Sequence, residues 1–393
     1  MKNTIKRYLC TYLIVIASFI TGLLLVSAIP QSWIKANAYS GRENAVKGIY
    51  PLFRLAENNN YSTFTDTAAD ELMMDLSYDL GFSQSSIINP SAFLEHVNSE
   101  IKYGRYWHGY AIYIRFMLLF LNQKEITILL SITTTVCLIS LLCALLYKKQ
   151  YILALSFAFA AYLTYFEIVI KCMEFMFCMI ISLVFAFYLC MREDIKYRYL
   201  TYFVVGMLVA YFDFLTFETL ALTLPLIIDL TIHEEHRTFK GTMLASINWV
   251  AGYILTFITK FVLLAVTHAD MSITKTKFAE KIVNGYPMLE VISVNLNSVR
   301  LFNLTVWLIL LSLTIFITYV MGNHCKENYY YLLIGFIPIV RYIVLSGHSG
   351  SHFAFTYHAL LSSVMCISAI LFSPAKFFIF DAQKFKTMIN PTK

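Results

Sequence analysis

The chain has 393 residues, of which 59% are hydrophobic and only 14% are charged, whereas charged residues make up about a quarter of soluble domains. This composition excludes an ordinary soluble enzyme and predicts an all-α integral membrane protein. The formal net charge of +6 does not indicate nucleic-acid binding, because basic residues collect in the cytoplasmic loops of membrane proteins.

Apolar runs separated by short polar segments predict about 10 transmembrane helices in a single polytopic membrane domain, residues 1–393. The first helix lies within residues 1–29, and its length favours an uncleaved anchor over a signal peptide. The later helices are predicted over residues 125–147, 151–166, 168–191, 199–212, 219–232, 243–266, 303–321, 329–345 and a final run that ends near Phe372.

Lysine and arginine are sparser in the two longest polar segments, 30–124 and 267–302, than in the short segments. By the positive-inside rule, this bias predicts a multi-pass plasma-membrane protein with both termini in the cytoplasm and both long loops outside the cell. The stretch from Tyr110 to Leu121 is too short to span the bilayer and contains Arg115. It predicts a helix that lies in the membrane interface.

The residues that commonly bind metals give weak signals. The eight cysteines lie in apolar runs or beside one short basic loop, so we predict neither a disulfide framework nor a cysteine zinc site. His233 and His236 form a lone His-x-x-His pair in a predicted inner loop. Such a pair is more typical of a solvated turn than of a metal site, and no metal site is predicted.

The densest acidic cluster outside the apolar runs lies in the stretch from Tyr61 to Arg115. In a helix, Asp66 and Asp70 lie one turn apart with Glu71 beside them, which is unfavourable unless a cation faces them. When two carboxylates share a site, the pKa of one rises, which suits a proton acceptor near neutral pH. We interpret the stretch as a catalytic loop on the membrane surface, and a solvated acidic helix face is the alternative.

Three further charges, Glu167, Lys171 and Glu174, stand at helical spacing near the outer end of a predicted span. A charge buried in lipid is costly unless it is paired. We therefore expect these residues to pair with one another or to face a water-filled cavity.

Several blocks of residues carry a resemblance to a known family and keep their order over nearly the whole chain. They are Asp66-x-x-x-Asp70-Glu71-Leu72-Met73-Met74, then Arg105-Tyr106-Trp107-His108-Gly109-Tyr110 with Arg115, Tyr211-Phe212-Asp213-Phe214-Leu215-Thr216, Trp249 with Gly252, Tyr253 and Lys260, and His348 with His352 and Phe355-Thr356-Tyr357. With these blocks the chain resembles an uncharacterised family of bacterial polytopic membrane proteins, itself similar to the C-type glycosyltransferase (GT-C) superfamily and associated with cell-surface polysaccharide loci. The RYWHGY block is the most specific of them.

The resemblance implies a GT-C-like architecture: a first helix, a long extracytoplasmic loop with an acidic residue, an interfacial helix and many further spans. It also implies a sugar donor carried on a polyprenyl phosphate and an acid of the first loop as general base. The chain departs from the family at Glu218, where a proline is expected, and at His358, where an arginine is expected. These departures bear on the substrate rather than on the fold.

Glycosyl transfer from a lipid phosphate needs a base for the attacking hydroxyl and cations for the departing phosphate. Asp66 or Asp70 is the candidate base, and Glu71 is the next candidate. Donor-phosphate binding is predicted, beside roles in anchoring or loop stability, for Arg105, His108, Arg115, Arg341, His348 and His352. A place at the acceptor or in the cavity wall is predicted for Tyr106, Trp107, Asp213 and Lys260, and Asp213 is equally consistent with a helix cap.

The leading hypothesis is a membrane glycosyltransferase whose partners are a polyprenyl-phosphate-linked sugar, a glycan or lipid-linked acceptor and membrane lipid. A polymerase or ligase with a diphosphate-linked donor remains an alternative, as does a flippase or transporter of lipid-linked sugars. A flippase is expected to show an internal repeat and interrupted helices, and the sequence shows neither. No cofactor is assigned, and a divalent cation at Asp213 stays open.

Overall fold

The computed structural model describes residues 2–40, 68–80, 106–192, 196–266, 287–321 and 326–375. Every regular element within these ranges is a helix, which confirms the all-α prediction. Asp66 and Arg105 lie outside the described residues, so the predictions made for them remain predictions.

The helices are numbered here in chain order. They are α1 (Lys2–Ser27), α2 (Gln31–Tyr39), α3 (Ala68–Asp79), α4 (Tyr110–Met117), α5 (Gln123–Tyr147), α6 (Tyr151–Leu163), α7 (Phe166–Val169), α8 (Met173–Met191), α9 (Arg198–Phe212), α10 (Leu220–Ile232), α11 (Phe239–Val266), α12 (Met288–Asn297), α13 (Leu304–Met321), α14 (Glu327–Gly335), α15 (Ile337–Val344), α16 (Ser346–Ser351), α17 (Phe353–Thr356) and α18 (Leu360–Phe372), with 3₁₀ turns at Glu234–His236 and Tyr357–Ala359.

Five helical segments in the described residues are long and apolar enough to cross a membrane: Asn3–Ser27, Gln123–Tyr147, Met173–Met191, Phe239–Val266 and Phe353–Phe372. The outer faces of α1, α5, α11 and α13 leave large apolar side chains exposed, and so much apolar surface indicates a membrane protein. The expected count of about 10 spans stays a prediction. Helices α6 and α10 have 13 residues each, or about 20 Å at 1.5 Å per residue, against a hydrocarbon core of about 30 Å.

Two predicted helices are interrupted in the structure. The helix expected over 329–345 breaks at Phe336 into α14 and α15, with Pro338 in the first turn of α15, where a proline is tolerated. The helix expected over 168–191 is divided into α7 and α8, and Tyr165 before α7 has a left-handed φ of 55°. The expectation that the chain has no interrupted helices is therefore wrong, and helix continuity no longer counts against a flippase.

The polar residues of the bundle gather at two opposite ends. We call the first the Asp213 end, with Asp70, Glu174, Asp213, Glu218, Arg341 and His348, and the second the His233 end, with Arg198, Asp229, His233, His236, Arg237 and Glu327. Helix α8 spans the distance between them, because the N–H of Met173 donates to Asp70 and the carbonyl of Leu189 contacts His233. The structure describes parts of each segment that is predicted to lie outside the cell. All of these parts belong to the Asp213 end.

Helices α9 and α11 cross at a pair of glycines. A Cβ atom on Gly206 would lie 2.1 Å from the carbonyl oxygen of Trp249, and one on Gly252 would lie 2.0 Å from the carbonyl oxygen of Phe203. Small residues at such crossings let helix backbones approach each other closely in membranes. The crossing places Tyr253, which follows Gly252 in α11, close to Asp213 and Glu218.

Replacing Gly252 by alanine is expected to lower the free energy of unfolding in detergent by about 1–3 kcal/mol, the usual cost of overpacking a close contact. Gly335→Ala is the matched control, because its Cβ would lie 3.4 Å from the Cβ of Cys366, a distance that a small shift accommodates. Equal melting temperatures for the two variants would contradict the close α9–α11 crossing.

Candidate active site at the Asp213 end

The loop between α9 and α10 is folded around Asp213 and Leu215. The Asp213 carboxylate accepts hydrogen bonds from the backbone N–H of Thr216 at 3.0 Å and from its hydroxyl at 2.5 Å. Leu215 has a left-handed φ of 66°, which is rare for a residue other than glycine and concentrates at functional sites. This conformation turns the Leu215 carbonyl toward α15 and α16, where Arg341 and His348 donate to it.

Arg341 and Glu218 form a buried ion pair beneath this loop. The guanidinium donates from Nε to Oε1 of Glu218 at 2.9 Å and from Nη2 to Oε2 at 3.1 Å, and both side chains are 4% exposed or less. Nη1 donates to the hydroxyl of Ser349 at 2.9 Å. The planar fork of arginine suits this two-point contact, and it joins the α9–α10 loop to α15 and α16.

Asp213 lies in the field of this ion pair. Burial and, to a smaller extent, the nearby Glu218 raise the pKa of Asp213 to about 7, although the hydrogen bonds from Thr216 and the charge of Arg341 oppose the rise. An acid whose pKa lies near the working pH can take up or release a proton. The structure thus adds Asp213 to the candidates for proton transfer. Its bonds to Thr216 close a turn inside the loop and do not cap α10, which begins at Leu220 with Thr219 as its N-cap.

The segment with His348 and His352, expected as a small-residue turn, folds into the short helices α16 and α17. Nε2 of His348 donates to the carbonyl of Leu215 at 2.7 Å. The His352 ring lies 4.7 Å from the His348 ring and stacks on Phe355. Both histidines therefore lie at the Asp213 end, and His348 stabilises the loop as one of the two predicted roles requires.

The RYWHGY block packs directly on the Asp213 loop. The ring of Phe214 lies 5.6 Å from the rings of Tyr106 and His108 and 4.9 Å from that of Tyr110. His108 has a left-handed φ of 55°, and its Nδ1 shares a 2.6 Å hydrogen bond with the Tyr110 hydroxyl. Two blocks separated by about a hundred residues in the sequence thus form one site.

Trp107 and Lys260 connect this block to α11. Trp107 is completely buried and donates from Nε1 to the carbonyl of Thr256 at 2.8 Å. The Lys260 ammonium, which is 1% exposed, lies 5.6 Å from the centre of the Trp107 ring, a favourable cation–π arrangement. Tyr106, Trp107 and Tyr110 are buried within the protein, so they do not form a belt of aromatic side chains at the membrane interface.

Asp70 lies in the first turn of α3, and its side chain contacts the first turn of α8. Its carboxylate accepts from the backbone N–H groups of Met173 at 3.0 Å and Glu174 at 3.1 Å, so it caps the positive end of the α8 dipole. Burial raises the pKa of Asp70 to about 7, and these two hydrogen bonds oppose the rise. Asp70 is 2% exposed, whereas Glu71 beside it is only partly buried, so a fully solvated acidic face is excluded for Asp70.

Arg115 is buried in α4 and surrounded by carbonyl groups. Its donors contact the carbonyl oxygens of Val26 at 2.8 Å, Ile29 at 2.6 Å, Ser77 at 2.8 Å and Tyr78 at 2.5 Å. Burial lowers the pKa of Arg115 to about 10, which still leaves it charged at neutral pH. These bonds attach α3 to the end of α1, so the placement favours a structural role over the predicted phosphate contact.

Among the charges expected to pair with one another, Glu167 forms an ion pair with Arg300 instead. The guanidinium of Arg300 also lies over the rings of Tyr162 and Tyr165, 4.3 Å and 4.2 Å from their centres. Pairing within the group is thus wrong for Glu167, because helical spacing identifies only local partners, whereas Arg300 comes from the segment after α12. This pair is partly exposed and closes the Asp213 end at its periphery.

An apolar groove of about 860 Å³ opens beside the site, between α1, α4, α5 and α8. Its wall includes Phe177, whose ring also contacts Tyr110 at 6.3 Å and stacks on Phe212 at 5.9 Å. Tyr110 is bonded to His108, and Phe212 precedes Asp213. The groove therefore reaches the polar residues of the Asp213 end through Phe177.

The chain was compared with protein-family models, with curated proteins and with solved structures, and no match was found. The resemblance to the GT-C superfamily therefore rests on the sequence blocks alone and stays a prediction.

Two residues of this site were not among its predicted members. Glu218 was noted only as a departure from the family pattern, and Phe177 is one apolar residue within a long apolar run. An acidic residue at the start of an apolar helix was a usable signal for Glu218, because such a charge needs a partner. The sequence holds no comparable signal for Phe177.

Proposed function

We propose that this protein is a GT-C-type membrane glycosyltransferase that transfers a sugar from a polyprenyl-phosphate-linked donor to a cell-surface glycan or lipid-linked acceptor on the outer face of the plasma membrane. The observation that carries the proposal is the junction at Phe177 between an apolar groove and a buried polar cluster. A lipid-linked sugar needs both environments side by side.

The groove is the proposed seat of the polyprenyl chain. It is walled almost entirely by apolar side chains: Gly22, Leu25, Val26, Ile29, Ile112, Tyr113, Phe116, Leu119, Leu130, Thr133, Phe177, Ile180, Ile181 and Phe212. A chain in this groove would place its phosphate near the residues that precede Phe177 in α8 and follow Phe212 in the α9–α10 loop. His108 and Lys260, with His352 and Arg105, are the proposed cations for this phosphate, whereas Arg341 holds the loop through Glu218.

The reaction needs one proton acceptor and no external oxidant or reductant. The acceptor hydroxyl attacks the anomeric carbon, its proton passes to a carboxylate, and the bond between the anomeric carbon and the phosphate oxygen breaks. The bonding electrons leave with the polyprenyl phosphate, whose charge the cations stabilise. Asp70 is the proposed base among the described residues, because it lies in the acidic stretch predicted to supply the base. Its pKa of about 7 suits that role. Asp213, whose pKa is also about 7, is the second candidate, and Asp66 remains the predicted neighbour of Asp70.

The proposal is tested by reconstituting the purified protein in liposomes with radiolabelled sugars on polyprenyl phosphate, and in parallel on polyprenyl diphosphate, together with cell-envelope acceptors. Transfer from the monophosphate donor with release of polyprenyl phosphate is expected. Transfer from the diphosphate donor alone would replace the proposal with a polymerase or ligase. Movement of labelled lipid across the bilayer without transfer would replace it with a transporter.

Filling the groove is expected to weaken donor binding. Thr133→Trp places an indole in the groove, and excluding two methylenes of the lipid, at about 0.8 kcal/mol each, raises KM for the donor about tenfold. The control is Ile132→Trp, because Ile132 is exposed on the same helix and does not line the groove. An unchanged KM in Thr133→Trp would place the lipid elsewhere.

A further inference from the structure

The His-x-x-His turn at the His233 end is not a solvated loop. His233 is buried, and its Nε2 donates to the carbonyl of Leu189 in α8 at 3.0 Å. His236 donates from Nδ1 to the carboxylate of Asp229 in α10 at 2.7 Å. Each bond fixes one tautomer, because a ring nitrogen that donates carries the proton and leaves a lone pair on the other.

The two lone pairs face the same point. Nδ1 of His233 lies 3.8 Å from Oε1 of Glu235, and Nε2 of His236 lies 3.9 Å from the same oxygen. The three ligand atoms all lie within 4.8 Å of one another. Glu235 is exposed, so its carboxylate can approach an ion that lies between the two imidazoles.

The surroundings of the two imidazoles are those of metal-bound histidines. Such histidines usually donate their second ring N–H to a carboxylate or a backbone carbonyl, which orients the ring and raises its basicity. Here Leu189 and Asp229 fill these roles, and Asp229 is itself held by Nε of Arg198 at 2.5 Å and the hydroxyl of Tyr202 at 3.0 Å. The ion pair with Arg198 offsets the positive charge nearest to the ligands.

The other charged side chains around the turn are paired away from the three ligand atoms. Arg237 contacts Glu234 at 3.8 Å and Glu327 at 3.5 Å. The guanidinium of Arg237 is also held by the backbone carbonyl of Leu230. A divalent cation between His233, Glu235 and His236 thus meets one ligand carboxylate without a competing arginine.

We propose that His233, Glu235 and His236 form a binding site for a divalent transition-metal ion, with Zn²⁺ as the best match. Two imidazole nitrogens and one carboxylate oxygen suit Zn²⁺, whereas Mg²⁺ and Ca²⁺ prefer oxygen ligands alone. The site ties the ends of α8 and α10 together at the end of the bundle opposite the candidate active site. It is independent of the glycosyltransferase proposal.

The test is equilibrium dialysis of the full chain, purified in detergent with a tag that contains no histidine and stripped with a chelator, against ZnCl₂ and in parallel MgCl₂. One Zn²⁺ per chain is expected, with no stoichiometric Mg²⁺. Glu235→Gln is expected to weaken Zn²⁺ binding at least tenfold, since even residues that only orient metal ligands contribute about 10-fold to 100-fold. Glu234→Gln is the matched control, because its exposed carboxylate faces Arg237.

The visible absorption of bound Co²⁺ provides a second measurement, which reports the type and number of ligands. Wild type and Glu234→Gln are expected to develop visible absorption of a low-coordinate Co²⁺ site with nitrogen ligands, and His236→Gln is expected to lose it. Equal Zn²⁺ affinity in the two glutamate variants, or the absence of stoichiometric Zn²⁺ from the wild type, would overturn the proposal. Thermal melting of each variant checks that it is folded, and loss of binding in a chain that melts like the wild type supports the site.

Discussion

Asp70→Asn is expected to lower the rate of sugar transfer by about 10²-fold to 10⁴-fold, the contribution usual for a positioned general base. The amide keeps the size of the side chain but cannot accept the proton of the acceptor hydroxyl. It can accept from only one of the backbone N–H groups of Met173 and Glu174, which both donate to Asp70. Loss of a capping contact costs only about 1 kcal/mol, so the fold is expected to survive.

The pH dependence of turnover distinguishes a role of Asp70 as general base from a role limited to capping α8. A base whose pKa is about 7 is protonated in acid, so the turnover of the wild type is expected to fall as the pH is lowered through about 7. The residual turnover of Asp70→Asn is expected to lack this acid limb. A role limited to capping α8 predicts a lower melting temperature with an unchanged pH profile.

The contribution of Asp70 to the stability of the fold is expected to rise as the pH is lowered, whereas turnover is expected to fall. The raised pKa means that the folded chain holds the Asp70 proton more tightly than the unfolded chain does, so this group stabilises the fold most below about 3.8 and loses that contribution as the pH rises through about 7. Asp70→Asn is expected to remove this dependence between those values. Glu71→Gln, one residue away, is the control and is expected to retain both profiles. Wild-type turnover in Asp70→Asn would exclude Asp70 as the base.

The helices were largely predictable from the sequence because burial in lipid imposes one-dimensional rules of length and hydropathy. Helix α5 was expected over 125–147 and is found at Gln123–Tyr147, and α10 was expected over 219–232 and is found at Leu220–Ile232. The breaks at Phe336 and between Val169 and Met173 were missed. Pro338 was a usable signal for the first, because proline interrupts helical hydrogen bonding, whereas the apolar pattern gives no signal for the second.

The composition of the candidate site was predictable only in part. Sequence blocks identified His108 and Asp213 as members, and Arg341 was predicted separately as a phosphate contact. The structure places all three at the Asp213 end. Their partners were not predictable, because Arg341 and Glu218 are brought together by tertiary packing across more than a hundred residues. The same limit applies to His233, whose environment depends on the distant Leu189 carbonyl.

Arg341→Ala is expected to lower the free energy of unfolding by about 3–5 kcal/mol, because it leaves Glu218 buried without its partner. The Leu215 carbonyl and the Ser349 hydroxyl lose a donor in the same variant. The matched control is Arg300→Ala, since the Arg300–Glu167 pair is partly exposed and exposed pairs contribute about 0–1 kcal/mol. Unfolding of both variants in detergent micelles, followed by circular dichroism, measures the difference.

The double variant Arg341→Met with Glu218→Leu decides what the ion pair is for. Replacing both charges with apolar residues of similar size is often neutral or stabilising, so this variant is expected to recover most of the stability lost in Arg341→Ala. The double variant also changes the electrostatic surroundings of Asp213, because Glu218 raises the pKa of Asp213 and Arg341 lowers it. Its turnover therefore tests whether these charges matter for the reaction. Recovered stability with recovered turnover would make the pair a structural brace of the Leu215 loop. Recovered stability without turnover would show that the charges themselves act in transfer, through Asp213 or the donor phosphate.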